Sequence, residues 1–99
     1  MIIHSLYSFV KPQFIDAENA QNYHIFEGHI DPRDGHFVSS NRKSCCGKYH
    51  CTSPSAYEIV FLSPNEDLLM KVRKIAKWHE DRGEKVCGQC VATLFSDNI

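Results

Sequence analysis

Five cysteines stand in two short segments of the chain, at a spacing that is typical of metal sites. The first segment, SCCGKYHC at residues 44–51, contains three cysteines and one histidine, and the second, VCGQC at 86–90, contains the other two cysteines. Cysteine thiolates and histidine nitrogens are the ligands that structural zinc takes in a tetrahedron. The pattern therefore predicts one zinc ion as cofactor, joining two segments that are far apart in the sequence.

The spacing within each segment predicts which cysteines bind. A Cys-x-x-Cys pair in the second segment allows a tight turn to direct both sulfurs at one ion. In the first segment four residues, including a glycine, separate the second cysteine from the third, whereas two adjacent cysteines point in different directions and bind one ion poorly. We predict as ligands Cys46, Cys51, Cys87 and Cys90, with Cys45 and His50 as alternates.

Redox chemistry is the main alternative for these thiols, because CGQC superficially resembles the redox pair of thioredoxin-type proteins. Such a pair needs a strand before it and a long helix after it, whose N-terminus lowers the thiol pKa. The predicted helix precedes CGQC, and the residues after it predict a strand, so the context favours metal. A chain without a secretion signal is expected in the reducing cytoplasm, where structural disulfides are rare.

Histidines suggest two further hypotheses. His24, His29 and His36 surround a predicted hairpin, and three histidines are able to bind a catalytic metal, although strand histidines are more often hydrogen-bonded groups. The order of residue types at His29, Asn41 and His50 resembles the motif of the HNH-type nucleases. That resemblance implies water activation by the first histidine and divalent-metal binding by the last residue. It covers residues 29–50 and departs from the family where Gly28 replaces the metal-binding residue.

A basic loop at residues 42–50 predicts a binding surface. Arg42, Lys43 and Lys48 stand around Tyr49, and no acidic residue occurs from 36 to 57. Cations beside an aromatic ring suit nucleic acid, but the formal net charge of -1 provides no general attraction to phosphate. We therefore expect a protein partner ahead of nucleic acid. The alternative interpretation is a solvated loop whose cations offset the charge of the thiolates.

Hydrophobic patterning predicts an α+β fold. Strands are predicted at 2–10, 23–30, 36–40 and 57–62, the last one buried on both faces, with a final strand in KVCGQCVATLF. One long helix is predicted over about 64–82, capped by Ser63 and Pro64 and stopped by Gly83. Trp78 is expected near an edge of the helix–sheet interface. The face of this helix that is expected to be buried contains Leu68, Leu69, Val72, Ile75, Ala76 and His79. We expect an antiparallel sheet of four or five strands packed against this helix, with a zinc clasp between the 45–51 loop and the 87–90 turn.

Length and composition predict one small zinc-stabilised domain over residues 1–99. No apolar run approaches the length of a membrane span, so no membrane association is expected. The sequence contains no recognisable set of nucleophile, base and oxyanion donors. We therefore expect a non-catalytic binding or regulatory protein, an inhibitor or adaptor, of the kind that phages and mobile elements encode. The alternative is a degenerate HNH-type nuclease or a small nucleic-acid-binding zinc protein.

Overall fold

A computed structural model describes residues 6–18, 20–39, 43–53, 56–61 and 65–96. Within them lie five strands and two α-helices, together with a turn of 3₁₀ helix at Pro12–Phe14. The strands are β1 (Leu6–Val10), β2 (Asn22–Ile30), β3 (Phe37–Ser39), β4 (Glu58–Ile59) and β5 (Lys85–Val86), and the helices are α1 (Leu68–Asp81) and α2 (Gly88–Ser96). The α+β class with a five-stranded, mainly antiparallel sheet is thereby confirmed.

Strand β2 is the central element of the sheet. Four antiparallel strands lie in the order β3-β2-β1-β4, and β5 pairs in parallel with the start of β2. One edge of β2 pairs with β1. The other edge pairs with two strands: β5 lies beside Asn22 and Tyr23, and β3 lies beside the last three residues of β2. Between β5 and β3, the amide of Cys45 donates a hydrogen bond to the carbonyl oxygen of Ile25 at 2.7 Å. The loop that contains the first cysteine segment is thus attached to the middle of this edge.

The core lies on both faces of the sheet, because neighbouring residues of β1 and β2 alternate between two clusters. Phe9 and Ile25 belong to the cluster beneath the helices, and Val10 and Phe26 belong to the opposite cluster. The helix-side cluster also contains Val72 and Ala76 of α1 and Leu94 of α2. Helix α2 is therefore part of the core, so its first turn lies close to β2.

The predicted hairpin is confirmed. Strand β3 returns antiparallel to β2, with His29 opposite Val38. The amide of Gly35 donates to the carbonyl of Asp31, and Gly35 has a φ of 73°, which a glycine adopts without strain. Turn chemistry in DPRDG was therefore a reliable local signal.

Helix α1 is shorter than predicted, at 14 residues. The predicted cap at Ser63 and Pro64 lies outside the described residues. The helix begins instead after Asp67, whose side chain accepts a hydrogen bond from the amide of Met70 at 3.0 Å. Asn65, with a φ of 70°, is not helical, and so the helix cannot extend back through it. The predicted stop at Gly83 is confirmed by its φ of 84°.

The predicted buried face of α1 is also found. Val72, Ala76 and His79 are buried, and the remaining apolar residues of that face pack partly against the core. Trp78, expected near the edge of the interface, is 53% exposed and has the guanidinium of Arg82 4.3 Å above its ring. Neither helix among the described residues is long and apolar enough to cross a membrane.

Two strand predictions were wrong. Among the described residues of the predicted strand 57–62, Glu58 and Ile59 form the strand that pairs with β1, and Phe61 is 66% exposed, so this is a short edge strand and not one buried on both faces. The predicted final strand is a two-residue strand followed by helix α2. Cys87, Cys90, Val91 and Leu94 repeat at helical spacing, and this period places them against the core.

Candidate metal centre

Four side chains converge where the loop, β2 and α2 meet. His24, Cys46, Cys87 and Cys90 each contribute one donor atom, and these four atoms lie within 4.8 Å of one another. The Nδ1 atom of His24 is 3.7 Å from the sulfur of Cys90 and 3.9 Å from that of Cys46. Donor atoms around a tetrahedral zinc with zinc–sulfur bonds of about 2.3 Å are about 3.8 Å apart, so these separations suit a single ion.

Backbone hydrogen bonds hold the three segments in register around this group. The amide of Cys87 donates to the carbonyl of Tyr23 at 2.8 Å, next to the histidine on β2. On the loop, the amide of Ser44 donates to the carbonyl of Tyr49 at 2.8 Å, closing a small ring of chain around Cys46. Gly47 in that ring has a φ of 78°, which accounts for the glycine. The donors are therefore positioned by main chain as well as by any ion.

Burial favours the neutral form of the histidine. His24 is 5% exposed, and this burial lowers its pKa below the ordinary value. A neutral imidazole with a free nitrogen lone pair is the form that coordinates a metal. The ring of Tyr49 packs against it with centroids 4.7 Å apart, which restricts its orientation.

The thiols differ in their electrostatic surroundings. Burial raises the pKa of Cys90 far above its ordinary value. Burial acts in the same direction on Cys46, but hydrogen bonds from the Ser44 hydroxyl, the Lys48 amide and the neighbouring thiols outweigh it and lower its pKa. The Ser44 oxygen lies 3.0 Å from the sulfur of Cys46. Because a coordinating thiol is deprotonated, metal binding here must release protons and strengthen as the pH rises.

The structure brings together three of the four predicted ligands and places Cys51 elsewhere. Ile15 forms an isolated antiparallel bridge with Cys51, and the sulfur of Cys51 donates to the carbonyl of Ser53 at 3.1 Å. This pairing carries Cys51 to the cluster on the opposite face of the sheet. His24, and not Cys51, lies beside the other three side chains in this group.

The two alternates are also outside the group. The amide of Cys45 donates its hydrogen bond to β2, and its side chain packs partly against the core. His50 is exposed, and its carbonyl accepts from the amide of Asp16 at 2.9 Å. None of the five cysteines forms a disulfide in the structure.

His24 was missed as a partner of the cysteines because it is distant from both segments in sequence. In the sequence it is grouped with His29 and His36 around the predicted hairpin. In the described part of the chain, however, the four-residue group above is the only group of three or more histidine, cysteine or acidic side chains that could hold a metal ion. Asn41 of the nuclease-like order lies outside the described residues. His29 is paired within the hairpin, opposite Val38.

The CGQC pair has a strand before it and a helix of nine residues after it. A short strand, β5, precedes Cys87, and a helix follows it, so the CGQC pair stands at the start of α2. This is the strand-then-helix order that the sequence did not indicate. The chain does not need a glycine at position 88 to pack closely around the cysteines, because a Cβ of Gly88 would meet no neighbouring atom within 4 Å.

The predicted binding surface is only partly described. Arg42 lies outside the described residues, and Lys43 and Lys48 are exposed. Tyr49 is half-buried against His24, so its ring supports the metal centre from outside.

Comparison of the chain with family models, with curated proteins and with solved structures finds no significant match to any of them.

Proposed function

We propose that the chain is a non-catalytic binding protein whose fold is stabilised by one zinc ion held by His24, Cys46, Cys87 and Cys90. The observation that supports this most is the convergence of three sulfurs and one imidazole nitrogen within 4.8 Å. Three thiolates with one imidazole form one of the usual ligand sets of structural zinc. Soft thiolate ligands in a tetrahedral arrangement favour zinc over magnesium, calcium or manganese.

The ligand count argues for a structural rather than a catalytic metal. A catalytic zinc keeps one coordination position for water or substrate, whereas four protein donors fill the tetrahedron. The four donors also come from three elements that are separated by up to 66 residues in the chain, from His24 to Cys90. Zinc at such a junction would stabilise the whole domain and hold the 43–49 loop in one conformation.

The proposed partner is an acidic surface of another protein. Lys43 and Lys48 are exposed on the zinc-held loop, and a loop fixed by metal loses less conformational entropy on binding than a free one. The formal net charge of -1 gives no general attraction to nucleic acid. A cytoplasmic location remains our expectation, because the thiols must stay reduced to bind zinc.

Metal analysis of the purified protein tests the zinc proposal. Native mass spectrometry with elemental analysis should find about one zinc per chain, the stoichiometry of a four-ligand site. Cys90→Ser should lose the zinc, and Cys45→Ser, the matched control beside the site, should keep it. A reduced wild-type protein that is fully folded without metal would show that the proposal is wrong.

Binding to polyglutamate tests the surface. Replacing Lys43 and Lys48 by glutamate should weaken binding of this acidic probe without loss of zinc, because neither residue is a ligand. The matched control replaces Lys74 and Lys77 on α1, which are equally exposed. An equal effect of both double variants would mean that binding depends on total charge and not on the loop.

A thiol redox function is the second candidate, and the position of CGQC at the start of α2 favours it. Its signature would be a disulfide between Cys87 and Cys90 that forms reversibly while Cys46 remains a thiol. Thiol counting in the zinc-loaded protein separates the two candidates. A chain that holds zinc through both thiols of the pair cannot at the same time contain that disulfide.

A further inference from the structure

A cavity of about 310 Å³ lies directly beside the metal centre. His24, Cys46 and Cys87 line it, whereas Cys90 does not and is fully buried. An ion held by the four donors would therefore have packed protein on the Cys90 side and the cavity on the opposite side. This arrangement gives a small molecule a route to the ligand atoms.

The rest of the cavity wall is mostly polar and contains both signs of charge. Lys48 provides the cation and Glu18 the carboxylate, and three amide side chains provide further hydrogen-bonding groups: Gln21, Asn22 and Gln89. The volume is at the lower end of the range for small-molecule sites, about 300–1,000 Å³. A ligand that matches this wall is small, polar and zwitterionic.

The ligand atoms on the cavity side determine which donor group an entering molecule needs. Cys46 is the most exposed of the four ligands, since Cys87 is 9% exposed, His24 5% and Cys90 0%. A soft thiolate ligand is displaced most effectively by another soft donor, and a thiol is the soft donor that small zwitterions contain. Cys46 is thus the ligand most open to exchange.

We propose that this cavity binds a small zwitterionic thiol of the cysteine class, which exchanges with Cys46 and makes the metal transferable. The inference rests on the proposed zinc site. The zinc–sulfur bond to the entering thiol forms, and the bond to Cys46 breaks. The proton of the entering thiol passes to the Cys46 sulfur, and no oxidation state changes. The ligand carboxylate pairs with Lys48 and its ammonium group with Glu18.

The Ser44 hydroxyl provides the freed Cys46 thiol with a partner. Its oxygen lies 3.0 Å from the sulfur and can act as donor or acceptor. Cys46 therefore has a hydrogen bond available both as a ligand and as a free thiol. His24, Cys87 and Cys90 continue to hold the ion while the exchange takes place.

The experiment measures the rate of zinc transfer from the zinc-loaded protein to a colorimetric chelator. L-cysteine should accelerate transfer several-fold more than 2-mercaptoethanol at equal thiolate concentration, because only cysteine has both charges. Alanine, a zwitterion without a thiol, should have no effect. Equal acceleration by the two thiols would overturn the inference.

Two charge-neutralising variants locate the effect. Lys48→Gln and Glu18→Gln should each reduce the acceleration by cysteine several-fold and leave that by 2-mercaptoethanol unchanged. Lys74→Gln, an exposed lysine on α1 outside the cavity, is the matched control and should behave as wild type. Variants indistinguishable from this control would also overturn the inference. Zinc content is measured first, so a protein without zinc contradicts the proposed function, whereas a zinc-loaded protein that fails these tests contradicts only the exchange.

Discussion

At the scale of single residues, the choice of the fourth metal ligand depends on where each side chain is held. Cys51 is a usual zinc ligand by type, yet its bridge to Ile15 holds it against the cluster of Val10 and Phe26 and outside the group. His24 reaches the group because it is buried on the strand edge to which the loop and α2 attach. Position therefore outweighs chemical preference at this site.

Substitution of the two residues should separate these roles. His24→Ala is expected to leave three thiolates and to lose zinc to a competing chelator at a concentration that wild type withstands. Cys51→Ser is the matched control and should retain zinc like wild type, since its sulfur contacts Ser53 and not the metal centre. Chelator titrations followed by metal analysis measure both. Zinc loss in the cysteine variant with retention in the histidine variant would contradict the assigned ligand set.

A second group of polar side chains joins the end of α1 to Tyr23 on β2. The hydroxyl of Tyr23 donates to Glu84 at 2.7 Å, and Nδ1 of the buried His79 lies 3.2 Å from the same carboxylate. The guanidinium of Arg82 is 3.6 Å away. Hydrogen bonds from Tyr23, then from His79, lower the pKa of Glu84 below its ordinary value of 4.5. Burial and the bond to Glu84 raise the pKa of Tyr23 to about 12.

This group should make stability depend on acidic pH. Because the pKa of Glu84 is lower in the folded state than in the unfolded state, its ionised form stabilises the fold fully above the unfolded pKa, and that contribution disappears as the pH falls through the folded pKa. The difference in free energy of unfolding between wild type and Glu84→Gln should be constant between about pH 5.5 and about pH 9 and shrink below that range. Urea titrations at several pH values measure it. Glu80→Gln, an exposed neighbour outside this hydrogen-bonded group, is the matched control.

At the scale of elements, the second edge of β2 determines where the metal centre lies. This edge is divided between β5 and β3, and the gap between them receives the amide of Cys45. Near the β3 end, Gly28 lets the hairpin close, because a Cβ there would overlap the carbonyl oxygen of Val38 and lie 2.7 Å from the ring of Phe37. Close pairing of β2 and β3 thus requires a glycine.

Gly28→Ala is expected to be strongly destabilising. The added methyl group meets backbone, which cannot move aside as a flexible side chain can, and overpacking of this kind costs about 3 kcal/mol or more. Gly88→Ala is the matched control and should be neutral or slightly stabilising, since the position is open and alanine is the better helix former. Thermal and chemical unfolding measure both variants. A Gly28 variant as stable as wild type would mean that the hairpin is packed more loosely than the structure describes.

At the scale of the whole molecule, the candidate metal centre joins segments that are far apart in sequence, with 66 residues between His24 and Cys90. The chain between Cys46 and Cys87 includes β4, α1 and β5, so one ion would close a long loop across the domain. The core around α2 is limited, with Leu94 buried and Val91 only partly buried. Much of the attachment of α2 and of the 43–49 loop is therefore expected to come from zinc.

Metal removal should destabilise the domain as a whole. Structural zinc contributes on the order of 10 kcal/mol in small domains at neutral pH, which is comparable to the total stability of a protein of this size. Chelation under reducing conditions should lower the melting temperature and the helical signal in circular dichroism, and added zinc should restore both. An unchanged melting temperature after complete metal removal would contradict a structural role.

Local signals in the sequence determined much of this protein. The hairpin turn, the apolar face of α1 and the stop at Gly83 are set by neighbours in the chain, and each was predicted correctly. The Cys-x-x-Cys pair indicated a metal group because its spacing is itself the geometric requirement. The start of α1 was misplaced, since a second cap at Asp67 competes with the predicted one.

Long-range packing decided the rest. A short apolar run such as CVATLF suits a strand or a buried helix equally well, and only contact with β2 and α1 selects the helix. The fourth ligand was likewise decided by tertiary structure, because His24 and Cys90 are 66 residues apart and meet only when β5 pairs with β2. Spacing along the chain reports which residues are close by covalent connection. Spacing does not show which distant segment lies beside those residues in the folded protein. Here the contact with β2 places a histidine in the group where a cysteine was expected.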